Sequence, residues 1–117
     1  MNIFSGAVGL LGLLFNKKWM FKNYLIDFFR KAPGINHSSI PSEFYDDVLD
    51  EILYFAKFSG QDSLENIMGN IEFTAVQLFS YMNPDLYGDK RCDSLFGNET
   101  SEIYTKPLDK YNISWSI

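Results

Sequence analysis

The chain has 117 residues, a length for one domain with one core. Its hydrophobic share of 46% and aromatic share of 17% exclude a disordered polyelectrolyte, and its single cysteine, Cys92, excludes an internal disulfide framework. A net charge of −5, concentrated in an acidic middle, disfavours direct binding to a nucleic-acid backbone, which calls for clustered Lys and Arg.

The charge is unevenly spread. Residues 1–41 carry five bases (Lys17, Lys18, Lys22, Arg30, Lys31) and one acid, Asp27. Residues 42–72 carry eight acids and one base, and residues 73–117 six acids and four bases.

The N-terminal run from Ile3 to Phe15 is apolar and small throughout. It is shorter than the about 20 residues that cross a bilayer. No base precedes it and no small-residue cleavage site is obvious, so it fits a secretory signal poorly. An evenly apolar helix belongs inside a protein or against a membrane. We expect a buried helix near 4–15, with a membrane-surface anchor as the first alternative and a signal-like segment as the last. A second helix is expected over 17–31. Its wide apolar face holds Trp19, Leu25 and Phe29, and Arg30 and Lys31 sit in the last turn, where cations suit the helix dipole. Ala32-Pro33-Gly34 ends it, and the turn-rich stretch 34–41 forms a loop.

The acidic hairpin over 42–83 is the centre of the chain. Ser42 is expected as N-cap of a helix over 43–59. Phe44, Tyr45, Val48, Leu49, Ile52, Leu53, Phe55 and Ala56 recur at helical spacing, and Ser59-Gly60 marks the end. Asp62-Ser63-Leu64-Glu65 resembles a capping box with Asp62 as cap, opening a helix over 63–82. Ile67, Ile71, Leu78 and Phe79 lie on its apolar face. Asn83-Pro84 stops it. The short link predicts antiparallel packing.

Beyond Pro84 the periodicity weakens. Asp85–Gly88 reads as a turn and Asp89–Phe96 as a short helix. Ser101–Ile117 reads as extended chain laid over the helices. The expected fold is therefore all-α, a single-domain bundle of about four main helices spanning 1–117 with an irregular tail over 84–117. The expected core is Trp19, Leu25, Phe29, Val48, Leu49, Ile52, Ile67, Ile71, Leu78 and Phe79.

One pattern stands out on the first helix of the hairpin. Glu43, Asp46, Asp47, Asp50 and Glu51 occupy its outer side, with i, i+4 pairs at 43/47, 46/50 and 47/51. Like charges at that spacing cost a helix a few tenths of a kcal/mol each. The row contains no Lys or Arg of its own. The helix dipole favours the acids of the first turn but not Asp50 and Glu51. A solvated face is one explanation, and a surface facing a basic partner is the other. On either, Asn at 47 and 50 should raise stability slightly; only on the second should it weaken binding.

No catalytic, metal or cofactor constellation is legible. His37 is the only histidine and sits in a polar loop. Cys92 lies beside Lys90 and Arg91, which could activate a thiol, but it lacks a partner at ligand or catalytic spacing. The clustered carboxylates lack the glycine-bearing loop of a calcium site, and they do not face one another across a cleft. Phosphate-loop, dinucleotide and zinc signatures are absent.

A small, acidic, helical chain with the row Glu43, Asp46, Asp47, Asp50 and Glu51 resembles the immunity proteins of interbacterial toxin systems, including contact-dependent growth inhibition. The resemblance is one of class and implies a non-enzymatic, cytoplasmic inhibitor without cofactor. It would bind a basic toxin domain, often a nuclease, over its active-site cleft. The partner-binding residues on this reading are the acidic row, with Tyr111 and Trp115 as aromatic anchors. Two alternatives remain: another acidic inhibitor, such as a phage protein mimicking nucleic acid, and a membrane-associated protein held through residues 3–22.

Overall fold

A computed structural model of the chain describes residues 17–88 and 102–113. Five α-helices lie within them: α1 (Lys18–Lys31), α2 (Ser42–Phe58), α3 (Leu64–Met82), α4 (Pro84–Tyr87) and α5 (Glu102–Lys110). No strand occurs among the described residues, so the fold is all-α. The expected helix over 4–15, the expected helix over 89–96, Cys92 and Trp115 lie outside the described residues.

Helices α1 to α3 form where the apolar spacing predicts, with shifts at their ends. Ser42 is the first helical residue of α2 rather than its cap; Pro41 holds the cap position in extended conformation and makes no side-chain cap bond. At α3 the cap is Ser63 and not Asp62. The Ser63 hydroxyl accepts the backbone N–H of Asn66 at 3.2 Å, satisfying one of the orphan donors of the first turn. Gly60 follows α2 with φ of 73°, the left-handed conformation that lets a helix end cleanly.

The packing order follows from the contacts. Lys18 meets Asp50, Lys22 meets Asp46, and the Phe29 ring meets Phe44 and Tyr45, so α1 and α2 run antiparallel. The link 59–63 turns the chain back into α3. Met20 and Met68 line one hollow and Phe29 packs edge-on to Phe79 at 4.9 Å, which sets α3 beside α1 in the same direction. Phe29 is the hub of this core, with Phe44, Tyr45 and Phe79 all in T-shaped contact. Such ring pairs add about 0.5–1.5 kcal/mol each beyond the area they bury.

The tail departs from expectation. Pro84–Tyr87 is a single helical turn, with Pro84 in the first turn and the Asn83 side chain accepting the Leu86 N–H at 3.2 Å. Proline is well placed there, since its missing N–H has no partner to lose. Residues 102–110, read from sequence as extended, are helix α5 despite Pro107 within it. Leu108 is fully buried in the common core, and Tyr111 and Ile113 pack against it. This long-range burial overrides weak local propensity. Trp19 is the one expected core residue that the structure places outside: it is 69% exposed. Phe21, Leu25 and Phe29 take the inward positions of α1.

A loop fastening completes the frame. Gly34 has φ of 74°, and a Cβ there would come within 2.7 Å of the Asn83 side chain. Asn83 Nδ2 donates to the Gly34 carbonyl at 3.1 Å, and the Tyr87 hydroxyl donates to the Pro33 carbonyl at 2.5 Å.

Candidate functional site: the outer face of α2

Helix α2 buries Phe44, Tyr45, Val48, Leu49, Ile52, Leu53 and Ala56. Their opposite side is left between α1 on one flank and α5 on the other. All five carboxylates of the acidic row fall on this outer half, as the 3.6-residue period requires. The structure shows how they are held.

On the α1 flank, Lys22 Nζ donates to Asp46 Oδ2 at 3.0 Å and Lys18 Nζ lies 2.7 Å from Asp50 Oδ1. The Lys18 and Lys22 side chains are mostly covered, while Asp50 remains 54% exposed. On the α5 flank, Asp47 Oδ2 accepts two bonds of 2.7 Å, from Lys110 Nζ and from the Tyr111 hydroxyl. The lysine also lies over the Tyr111 ring, 5.1 Å from its centroid. Tyr111 in turn sets its ring edge-on to Phe44.

This three-way contact shifts all of its members. The hydrogen bond from Lys110, and next that from Tyr111, hold the Asp47 carboxyl below the ordinary 3.8. The same bond to Asp47 raises Lys110. Tyr111 is raised by the Asp47 carboxylate first and by burial second. Acceptance by a carboxylate favours the protonated phenol and ammonium and the ionised acid. Inside the core, Tyr45 is pushed up to about 12 by burial, against a smaller lowering by Arg30.

The acidic row is thus less isolated than the local sequence implies. Asp46, Asp47 and Asp50 each have a lysine partner. Among the described residues Glu43 and Glu51 have none. Glu43 is exposed, and Glu51 is half-buried at the rim of an open hollow of about 280 Å³. Asp47, Asp50, Lys106, Pro107 and Lys110 complete its lining. Tyr111 joins the row, but as a fastener of α5 to α2 rather than as a free aromatic anchor.

Sequence reasoning missed two residues on this face. Tyr54 and Phe58 are 58% and 73% exposed, and their rings pack at 4.6 Å between centroids. Tyr54 also meets Phe55 edge-on at 5.8 Å. They follow Asp50 at i+4 and i+8, so the outer stripe of α2 passes from carboxylates to aromatic rings. The available signal was two large aromatics lying off the apolar stripe of an amphipathic helix.

His37 is exposed in a short 3₁₀ turn. Among the described residues no three His, Cys, Asp or Glu side chains are grouped to hold a metal ion, and no helix is long and apolar enough to cross a membrane. No family model, curated protein or solved structure matches the chain.

Proposed function

We propose that the chain is a protein-binding antidote, an immunity protein that neutralises a toxin domain by presenting the outer face of α2 to a basic surface. The observation that carries the reading is the pairing pattern of the acidic row. Five carboxylates lie on one face of one helix, three have lysine partners, and Glu43 and Glu51 have none among the described residues. The lysines fix the row's geometry from its flanks, while Glu43 and much of Asp50 remain open to solvent. A face of this sign draws a cationic cleft towards it, raising association rate and excluding wrong partners. A nuclease cleft, built to hold phosphates, is the fitting partner, and the antidote would act in the cytoplasm, without catalysis or cofactor.

The test is contact competition. A strain lacking the chain should be killed by its parent and rescued by the chain supplied in trans. Glu43→Lys combined with Glu51→Lys should abolish rescue while leaving the melting temperature near the parent value. A deletion strain that survives contact with its parent would remove the proposal.

The membrane reading keeps one observation in its favour, the exposed Trp19 next to Lys17. Tryptophan and lysine suit a headgroup region. Against it, Lys18 and Lys22 are engaged by Asp50 and Asp46. Flotation of the full chain with anionic vesicles distinguishes the two.

A further inference from the structure

Helix α5 does not hold its own shape. It has nine residues, short of the about 12–15 at which an isolated helix becomes even marginal in water. Pro107 stands inside it and has no N–H for the carbonyl four residues back. Its end, by contrast, is a closed unit. Asn112 takes the left-handed conformation, with φ of 55°. The N–H of Ile113 bonds the Leu108 carbonyl at 2.9 Å, and that of Asn112 bonds the Asp109 carbonyl at 3.2 Å. These are the paired bonds that close a helix on a left-handed residue, and the buried Leu108 and half-buried Ile113 are the apolar pair that goes with them.

The unit meets the body through Leu108 and through the Tyr111 ring, which sits edge-on to Phe44. Two polar bonds to α2 converge on one atom, Asp47 Oδ2, from Lys110 Nζ and the Tyr111 hydroxyl. The Lys110 side chain is mostly exposed, so water competes for it. Tyr111, Asn112 and Ile113 share a hollow of about 430 Å³ with Ile35, Ile40 and Met82, so that side of the unit is not closely packed. Segments with little buried apolar contact open ahead of the core. We propose that α5 and its cap, residues 102–113, form a strap that opens and closes as one unit on a standing body of α1 to α3, with the Asp47 carboxylate as its latch. Helix and docking are lost together, because the segment has no stable helix away from its contacts. Opening sets the Asp47 carboxylate free and uncovers Phe44. The strap does not depend on what the chain binds. On the antidote reading, on which this last step rests, the closed strap covers the middle of the acidic face.

The experiment is residue-resolved hydrogen exchange on the full chain in low, non-denaturing urea. The amides of Tyr111, Asn112 and Ile113 should be protected, yet exchange at least about tenfold faster than the slowest amides of α2 and α3. Their rates should hardly rise with urea, while those of the core rise steeply, because global unfolding exposes far more surface. Ile67→Val, a mild change at a buried position near the start of α3, should speed the core amides several-fold and leave the strap amides unchanged. Asp47→Asn keeps the side chain's shape and should speed the strap amides roughly fivefold.

Strap amides that follow the core in urea and in Ile67→Val would mean that no separate strap exists. Strap amides unmoved by Asp47→Asn would take the latch away from Asp47. Exchange at 111–113 as fast as in an unfolded peptide would mean that the strap does not close. Each of these results overturns the proposal. None of them bears on the contact competition, which needs a partner where the exchange needs none, so the strap and the antidote reading fail separately.

Discussion

Helices α2 and α3 are the two arms of one hairpin, and they spend their polar residues in opposite ways. On α2 the period is strict: apolar side chains face inward, while carboxylates and two aromatic rings face out. On α3 the boundary is blurred. Asn70, Thr74, Gln77 and Ser80 are all buried beside Ile67, Ile71 and Leu78. Ser80 Oγ donates to the Gln77 carbonyl at 2.8 Å, whereas Asn70 Nδ2 has no hydrogen-bond partner among the described residues. A buried donor left unmet costs about 1–3 kcal/mol, which is the scale of what is at stake at Asn70. The contrast teaches that polarity read along a helix does not name its outer side. α3 buries polar side chains towards its neighbours while Glu65, Asn66 and Glu72 stay exposed, whereas α2 keeps its carboxylates on the outer side.

The largest test of the contrast uses two phenylalanines. Phe29 is fully buried at the meeting point of α1, α2 and α3. Phe29→Ala should cost about 3–5 kcal/mol, through lost burial and the cavity left behind. Phe58→Ala should change stability by no more than about 0.5 kcal/mol, as an exposed surface change. Urea denaturation of both gives the ratio. A Phe58→Ala loss comparable to that of Phe29→Ala would make Phe58 a core residue and erase the contrast.

Next in size is the alkaline limb. Tyr45 stays protonated in the folded protein up to about 12 and ionises near 10 when unfolded. The folded state therefore holds more protons between these values. Its raised value contributes stability that is complete below pH 10 and lost as pH rises through 12. At about 1.4 kcal/mol per pH unit the loss reaches about 2–3 kcal/mol. Tyr87 and Tyr111, both raised, act in the same direction. Tyr45→Phe should remove the largest part of the slope in a melt series from pH 9 to about 12.

Gly34→Ala should follow. The position combines a φ of 74° with a close approach to Asn83, so strain and displacement of the Asn83 bond act together. A cost of about 1–3 kcal/mol is expected. Gly60→Ala serves as comparison: its φ of 73° is equally unfavourable, but the space around it is open. The difference between the two variants measures the loop fastening alone.

What was legible in the sequence divides along the same line. The spans of α1, α2 and α3 followed from periodicity, because each has an uninterrupted apolar stripe and recognisable stops. Helix α5 did not, since 101–117 shows no clear apolar face, and burial of Leu108 nonetheless holds a helix there. Trp19 falls on the wide apolar face read from the sequence, yet the helical period turns Phe21, Leu25 and Phe29 inward together and leaves Trp19 off that side. The acidic row was legible as a row, but its partners were not. Lys22 is 24 residues from Asp46 and Lys110 is 63 residues from Asp47. Pairing over such distances is a product of the fold and leaves no local pattern.

That pairing reverses the sign of the smallest effect. From spacing alone, Asn at 47 and 50 relieves repulsion and stabilises the helix by a few tenths of a kcal/mol per pair. In the structure the same substitutions take the charge from the group that Lys110 and Tyr111 donate to, leaving an amide oxygen with fewer acceptor sites, and remove the ionic partner of Lys18. The exposed Lys18–Asp50 pair is worth about 0.2–1 kcal/mol. Asp47 adds its two bonds and the fastening of α5. The double Asn variant should therefore melt lower than the parent and not higher. Asp47 also gives the loss a pH signature. Its folded carboxyl titrates below 3.8, so its contribution is present above the unfolded value near 3.9 and disappears as pH falls through the folded one. The melting difference between the parent and Asp47→Asn should then be full at pH 7 and shrink on acidification below about pH 4. A variant that melts higher at pH 7 would mean that repulsion along the row outweighs its lysine partners. The carboxylates would then be held together against their own stability, which would strengthen the case that another molecule's charge is what they are kept for.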